Sequence, residues 1–156
     1  MQVKDCMKCN VVSISPSATI RQAAARMVKN RIGLLPVVDE QGGLVGVVGL
    51  RDLLKLELPD FVDLIPDVDF VHDFGAVETT RPSREELDQS VTTLMREAIS
   101  VVEDCGLLRA YALMLQHDVH DLPVVAADGH LVGVASRVDI GTAILSCWKS
   151  METKKK

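Results

Sequence analysis

The chain contains two copies of one sequence pattern, and this internal duplication constrains its fold more than any other feature. The first copy runs from Val12 to Asp52 and the second from Ile99 to Asp139, and 14 of the 41 aligned pairs are identical. A solenoid needs three or more units to bury a continuous core. Two copies therefore predict a paired, pseudo-symmetric module. The identical pairs are Ser13/Ser100, Ala23/Ala110, Ala25/Ala112, Met27/Met114, Leu35/Leu122, Pro36/Pro123, Val37/Val124, Val38/Val125, Gly42/Gly129, Leu44/Leu131, Val45/Val132, Gly46/Gly133, Val47/Val134 and Asp52/Asp139.

Each copy follows the order strand, helix, strand, turn, strand, helix. Thr19 precedes apolar residues at helical spacing and can cap a helix. Near-continuous apolar stretches on both sides of Gly42 predict a hairpin, and Gly129 marks the same turn in the second copy. The predicted strands cover residues 11–15, 34–39, 44–50, 99–102, 122–126 and 131–135, and the predicted helices cover 20–30, 51–56, 107–117 and 138–148.

The segment between the copies differs from both in composition. Residues 57–90 carry ten acidic side chains against two arginines, so their net charge is −8, while the rest of the chain carries +3. Aromatic residues such as Phe61 and Phe70 favour packing on the outside of the module over a free linker. A capping box at Ser83 predicts a helix over 83–96. We divide the chain into a first repeat (1–58), a partly helical insertion (59–90), a second repeat (91–150) and a disordered tail (151–156).

Composition argues against several functional classes. The sequence has no basic stripe interleaved with aromatic residues, which argues against nucleic-acid binding. It also lacks the ~18 uninterrupted apolar residues of a membrane span and the apolar stretch of a signal peptide. We therefore expect a cytoplasmic protein without direct membrane insertion. The Cys6-x-x-Cys9 pair has no matching second pair, so we expect reduced thiols and no zinc site.

The residue patterns do not indicate an enzyme. Ser136 has no candidate base at a meaningful spacing, and the four histidines do not form a zincin motif. The sequence contains no G-x-x-x-x-G-K-S/T phosphate loop, and the glycines of LVGVVG lie inside a predicted strand. We therefore expect no catalytic residues, no metal ligands and no required cofactor.

Shared marks in the two copies resemble a known family. Met7 and Met95 precede the copies, and each copy contains Pro-Val-Val, a glycine turn, and Leu-Val-Gly followed by the strand-to-helix aspartate. Together these marks resemble a tandem pair of CBS domains, the cystathionine β-synthase type of regulatory repeat, also called a Bateman module. The resemblance implies an α/β (α+β) fold of two β-α-β-β-α repeats packed through their sheets. It also implies clefts that often bind adenosine-containing ligands.

Asp52 and Asp139 are the main candidates for ligand binding. Each stands at a strand-to-helix junction, where a carboxylate can accept hydrogen bonds from both ribose hydroxyls while capping the helix. The alternative is a helix cap alone. Ser136 precedes Asp139 by three residues and can donate to a phosphate beside the helix N-terminus. Gly49 occupies the equivalent position in the first copy, so we expect the first half-site to bind phosphate less well.

Further candidates surround these junctions. Arg51 and Arg137 can pair with a phosphate, although solvent-facing arginines are the alternative. His120 and Asp121 resemble the segment that presents a basic pair to nucleotide phosphates in the adenylate-sensing subunit of AMP-activated kinase, but Asp121 would repel a polyphosphate. Adenine needs apolar walls and backbone hydrogen bonds. The backbone segments that can supply them include Val12, Ser13, Gly33, Leu34, Leu35, Ile99, Ser100 and Leu122, each of which is equally explicable as core.

Three functions remain open from the sequence. The leading one is a regulatory module that binds an adenine nucleotide, AMP before ADP, ATP or S-adenosylmethionine, and signals to a partner protein or an attached transporter or enzyme domain. A ligand-free dimerisation scaffold is the first alternative. The second is a divalent-cation sensor that uses the acidic segment 60–73 and His72. We also expect a homodimer, because Leu145 and Trp148 would otherwise extend an apolar face into water.

Overall fold

A computed structural model describes residues 1–58 and 81–152 of the protein. The first repeat consists of α1 (Ile20–Asn30), β1 (Leu34–Val38), β2 (Leu44–Gly49) and α2 (Leu50–Leu54), and α3 (Arg84–Leu87) follows it. The second repeat consists of β3 (Val101–Val102), α4 (Leu107–His117), β4 (Asp121–Val125), β5 (Leu131–Ser136) and α5 (Arg137–Glu152). β1 and β2 pair antiparallel, whereas β3, β4 and β5 form a sheet in which β3 runs parallel to β4. Short 3-10 helices lie at Val3–Asp5 and Val91–Thr93.

Helices α1 and α4 begin and end where the sequence predicts. Thr19 caps α1 reciprocally: its hydroxyl accepts from the Gln22 amide at 3.2 Å, and the Gln22 side chain accepts from the Thr19 amide at 2.9 Å. Arg31 and Asp118 follow the two helices in the left-handed conformation, with φ of 51° and 50°. A left-handed residue commonly ends a helix and turns the chain toward the next strand. The C-terminal ends of α1 and α4 therefore have the same backbone geometry.

The two predicted hairpins are confirmed. In each, the register shifts by one residue before the turn, between Val37 and Val38 and between Val124 and Val125. Gly42 and Gly129 adopt φ of +83° and +88°, which is accessible to glycine at little cost. The hairpin turns also contact each other, because the Leu44 amide donates to Gly129 O and the Leu131 amide donates to Gly42 O. These reciprocal bonds mark the pseudo-twofold relation between the repeats.

The prediction of a strand over residues 11–15 is wrong. It is reduced to a single parallel bridge between Ile14 and Val37, held by two backbone hydrogen bonds of 3.0 Å. In the second repeat, the Glu103 amide donates to Val125 O at 3.1 Å and extends the ladder. Pro16 occupies the position equivalent to Glu103 and has no amide hydrogen to donate. The ladder therefore ends earlier in the first repeat.

The helix predicted over 83–96 is also shorter than expected. The capping box is confirmed, since Ser83 and Glu86 exchange hydrogen bonds of 2.7 and 3.2 Å. The helix nevertheless ends at Leu87, and a 3-10 turn begins after Ser90, whose hydroxyl accepts from the Thr92 amide. Serine and threonine side chains compete in this way with helical hydrogen bonds. Helix α5, in contrast, extends through residue 152 into the predicted tail, while residues 59–80 of the insertion and 153–156 of the tail lie outside the described residues.

The first segments of the two repeats are exchanged between their cores. We call residues 3–8 and 91–96 the exchanged segments. Val3 is fully buried in the core of the second repeat, and Val91 is fully buried in the core of the first. The Val3 amide donates to Cys105 O and the Val91 amide donates to Ala18 O, both at 2.8 Å. The core of each repeat is thus completed by the first segment of the other repeat.

Glycines in β2 and β5 make room for the exchanged segments. A Cβ on Gly46 would lie 2.5 Å from Met95 Cγ and 2.9 Å from a backbone carbonyl oxygen. A Cβ on Gly133 would lie 2.5 Å from Met7 Sδ. Antiparallel bridges place Lys8 against β5 and Arg96 against β2. Within the described residues, no helix is long and apolar enough to cross a membrane.

Candidate functional site

Two clefts lie between the repeats, one at each strand-to-helix junction. The Asp52 cleft, with a volume of about 410 Å³, is lined by the β2–α2 junction and by residues 118–121 of the second repeat. The Asp139 cleft, about 250 Å³, is lined by Ser136, Asp139 and residues 31–34 of the first repeat. Each cleft therefore combines the junction of one repeat with the helix-to-strand turn of the other.

The structure regroups the residues that the sequence singled out. His120 lines the Asp52 cleft, away from Asp139, with which the sequence grouped it, and Asp121 lines both clefts. The predicted residues that line the Asp52 cleft are Gly33, Leu34, Arg51, Ile99, His120 and Asp121. Those that line the Asp139 cleft are Val12, Gly33, Leu34, Asp121, Ser136 and Asp139.

Six predicted residues do not line either cleft. Leu35 and Leu122 are fully buried in the two cores, because side chains alternate along a strand and their neighbours Leu34 and Asp121 face the clefts. Ser13, Ser100 and Arg137 are half-buried. Asp52 is buried behind the wall of the cleft that we name after it, at 8% exposure.

Arg137 holds the wall of a cleft together instead of lining it. Its amide donates to His120 O at 2.7 Å, and its Nη2 donates to Val119 O at 3.1 Å. Its Nε is buried without a hydrogen-bond partner among the described residues. In the first repeat, the Leu50 amide makes the equivalent bond to Gly33 O at 2.8 Å. The backbone bond is common to both repeats and fixes the helix-to-strand turn beside the junction.

Asp139 is partly open to its cleft. Its Oδ2 accepts from the Ser136 amide at 2.9 Å and from the Ser136 hydroxyl at 2.6 Å, while that hydroxyl accepts from the Asp139 amide at 3.0 Å. Lys8 Nζ lies 3.7 Å from Oδ2 and its side chain is 71% exposed. Among the described residues, no hydrogen bond reaches Oδ1. One carboxylate oxygen thus caps α5, and the other accepts no hydrogen bond from the described residues.

Asp52 is closed by comparison. Its Oδ2 accepts from the Gly49 amide at 2.8 Å, and Arg96 Nε lies 2.9 Å from both carboxylate oxygens. The Asp52 side chain is 9% exposed. Arg96 and Lys8 occupy equivalent positions, each one residue after the methionine that precedes its repeat. The same arrangement of cation and carboxylate is therefore tight in one cleft and loose in the other.

Sequence reasoning missed the cations contributed by the exchanged segments and by the end of α1. Lys8 and Arg31 line the Asp139 cleft, and Arg96 lines the Asp52 cleft. Met7 and Met95 already marked the register from which Lys8 and Arg96 could have been paired. The exchange itself has no local sequence signal, so their assignment to opposite repeats required the structure.

The surroundings of Asp139 and Asp121 shift the pKa values of these two carboxyl groups in opposite directions. Burial alone would raise the pKa of Asp139, but hydrogen bonds from Ser136 and the charge of Lys8 hold that pKa below its usual value. Burial raises the pKa of Asp121, and the negative charge of Asp139 adds to this effect despite opposition from His120 and Lys8. Asp139 is therefore a stable anion, whereas Asp121 is ionised at an energetic cost.

Neither metal hypothesis gains support from the described residues. Among residues 1–58 and 81–152, no three His, Cys, Asp or Glu side chains are grouped as metal ligands. The acidic segment 60–73 and His72 lie outside this part of the chain. Cys6, Cys9 and Cys105 are free thiols, and burial raises the pKa of Cys6.

Comparison with known proteins identifies the family. The sequence profile of the CBS domain matches residues 3–58 and 91–146. The chain belongs to the CBS domain family. Both matches begin at the exchanged segments, so these segments are part of the CBS repeats. The expected fold of two β-α-β-β-α CBS repeats is confirmed by the solved CBS pair described next.

Relatives cover most of the chain. The CBS domain-containing protein YhcV of Bacillus subtilis is 30% identical over 144 residues, which are 92% of this chain and 86% of YhcV. The chloroplastic CBS domain-containing protein CBSX1 of Arabidopsis thaliana is 33% identical over 88% of this chain and 60% of its own length. The chain spans about three fifths of CBSX1 and of its Arabidopsis relative CBSX2. The crystal structure of CBSX2 in complex with AMP is similar with a TM-score of 0.71 and 28% identity, covering 94% of this chain and 97% of that one.

Proposed function

We propose that this CBS pair is a regulatory module that binds an adenine nucleotide, AMP, in the Asp139 cleft and transmits the occupied state to a partner protein or an attached domain. The observation that carries the proposal is the Asp139 carboxylate, which lines the cleft and has one oxygen engaged in capping α5 while the other accepts no hydrogen bond from the described residues. The AMP complex of the similar protein CBSX2 supports this choice of ligand.

Ribose recognition follows from the chemistry of Asp139. An ionised carboxylate accepts charge-assisted hydrogen bonds from hydroxyl groups, worth about 1.5–3 kcal/mol each. Ser136 holds this carboxylate in place through the cap, so little conformational freedom is lost when a ribose binds. Val12, Ile32 and Leu34 provide apolar walls for the adenine.

Phosphate recognition falls to the two cations of the cleft. Lys8 and Arg31 both line it and are exposed at its rim. The cleft volume of 250 Å³ is slightly below the ~300 Å³ at the small end of typical ligand sites. The phosphate would therefore lie at the open rim, where these side chains can reach it. Asp121 faces the same space and disfavours the longer anionic chains of ADP and ATP.

Thermal unfolding and calorimetry test the proposal. AMP at about one hundred times its Kd should stabilise the fold by about 2.7 kcal/mol, which corresponds to a rise in Tm of about 5–10 °C. Asp139→Ala should remove most of this rise, and the matched variant Asp52→Ala should retain it. The proposal fails if millimolar AMP, ADP, ATP and S-adenosylmethionine all leave the Tm of the intact protein unchanged. In that case the scaffold function replaces it, and a separate titration with magnesium tests the cation sensor.

The proposal includes self-association and a cytoplasmic location. α4 and α5 pack together and expose apolar side chains, with Leu108 74%, Val138 70% and Trp148 65% exposed. Burying such a surface is the usual reason for a protein–protein contact, and we propose a homodimer formed through these two helices. Fractionation of cells that produce the protein tests the location.

A further inference from the structure

The two clefts differ in how their aspartates are covered. In the Asp52 cleft, Arg96 Nε lies 2.9 Å from both oxygens of the Asp52 carboxylate, and the Gly49 amide donates to one of them. A ribose that binds an aspartate needs those same oxygens as acceptors. Arginine pairs with a carboxylate strongly because its planar, always charged group matches the geometry of the acceptor. The guanidinium therefore stands where the ribose hydroxyls would bind.

Gly49 allows the guanidinium to reach this position. A Cβ on Gly49 would lie 3.2 Å from Arg96 Nη2 and 3.2 Å from Asp52 Oδ2, which is tighter than ordinary contact. The equivalent residue in the second repeat is Ser136, whose side chain fills this space. The cation there is Lys8, which lies 3.7 Å from Asp139 and remains mostly exposed. Gly49 and Arg96 together leave Asp52 covered by a guanidinium, whereas Ser136 and Lys8 leave Asp139 uncovered.

We propose that Arg96 is a specificity-determining residue that occupies the ribose position of the Asp52 cleft, so that the protein binds one nucleotide per chain. This inference rests on the proposed function, because it assumes that the Asp139 cleft binds AMP. In other respects the Asp52 cleft suits a nucleotide. Its volume of 410 Å³ lies within the usual range, Val47 and Ile99 line it, and Arg51 and His120 are available to a phosphate.

Arg96→Lys is the variant that tests this role. It keeps a positive charge in the Asp52 cleft but replaces the planar group by the ammonium found at Lys8. Isothermal titration of the full chain with AMP should give one site per chain for the wild type and two for Arg96→Lys. Adding Asp52→Ala to Arg96→Lys should return the count to one, because the newly opened aspartate is then removed.

Arg21→Lys is the matched control. Arg21 Nε donates to Asp88 at 3.0 Å, a similar arginine–carboxylate contact, and lines neither cleft. The Arg21→Lys variant should still bind one AMP per chain. If Arg96→Lys fails to fold, as judged by its thermal unfolding, Arg96→Ala is titrated instead and should also bind two.

The outcomes distinguish a failure of the Arg96 inference from a failure of the proposed function. A wild type that binds none of AMP, ADP, ATP and S-adenosylmethionine refutes the proposed function and this inference with it, whereas a wild type that binds one of the others but no AMP overturns the choice of ligand and the one-AMP count. A wild type that binds one AMP while the folded Arg96 variant also binds one overturns the role of Arg96 and leaves AMP sensing intact. A wild type that binds two AMP molecules overturns the role of Arg96 directly.

Discussion

At the scale of single residues, Asp121 is the side chain that both clefts share. It is half-buried, and burial together with the nearby Asp139 charge raises its pKa. Leu34 is its counterpart in the first repeat, so the repeats place an apolar residue and an acid at equivalent points between the clefts. A ligand in either cleft therefore changes the surroundings of one carboxyl group.

Asp121→Asn should raise the stability of the protein at pH 7. Because the pKa of Asp121 is higher in the folded state than in the unfolded state, the folded state binds its proton more tightly. The contribution to stability is therefore complete below the unfolded pKa of about 3.9 and is lost as the pH rises through the folded value. Thermal unfolding across pH should give the Asn variant a higher Tm than the wild type at neutral pH. The difference in Tm should shrink as the pH falls toward 4. A difference that grows on acidification would contradict the argument.

At the scale of elements, the hairpins and the start of α1 were easier to predict than the segments that pack beside them. Apolar stretches around Gly42 and Gly129 were sufficient to place the hairpins, and Thr19 was sufficient to place the start of α1. The strand at 11–15 was misjudged because Pro16 has no amide hydrogen with which to extend the ladder. The helix at 83–96 was misjudged because the Ser90 hydroxyl accepts from the Thr92 amide and begins a 3-10 turn. In the candidate site, Asp52 and Asp139 were found from their position after a strand, whereas Lys8, Arg31 and Arg96 depend on contacts between repeats that no local pattern encodes.

Gly46→Ala should destabilise the protein. The new Cβ would meet Met95 and a backbone carbonyl oxygen at under 3 Å, and overpacking of this kind typically costs about 1–3 kcal/mol. Gly141→Ala is the matched control, because Gly141 lies within α5 with nothing within 4 Å of an added Cβ. Alanine is favoured over glycine in a helix by about 0.5–1 kcal/mol. Chemical denaturation should therefore move the midpoint down for Gly46→Ala and up for Gly141→Ala, and equal shifts would show that the close contact relaxes without cost.

At the scale of the whole molecule, the proposed homodimer depends on the exposed face of α4 and α5. We expect the wild type to sediment as a dimer at tens of micromolar. Replacing both Leu145 and Trp148 by Glu should give a monomer, because two charges would then have to be buried without partners. Val45→Glu is the control, since Val45 is similarly exposed, at 43%, on β2. A wild type that sediments as a monomer would refute the dimer.

The exchanged segments have a consequence for the history of the molecule. Val3 completes the second core and Val91 completes the first, which is the topology of a swapped dimer whose subunits have been joined. A single-repeat ancestor with this topology would have given its leading segment to a second copy and received one in return. Identical subunits must carry identical clefts. Two repeats in one chain are free of that requirement, and here Gly49 stands with Arg96 on one side and Ser136 with Lys8 on the other.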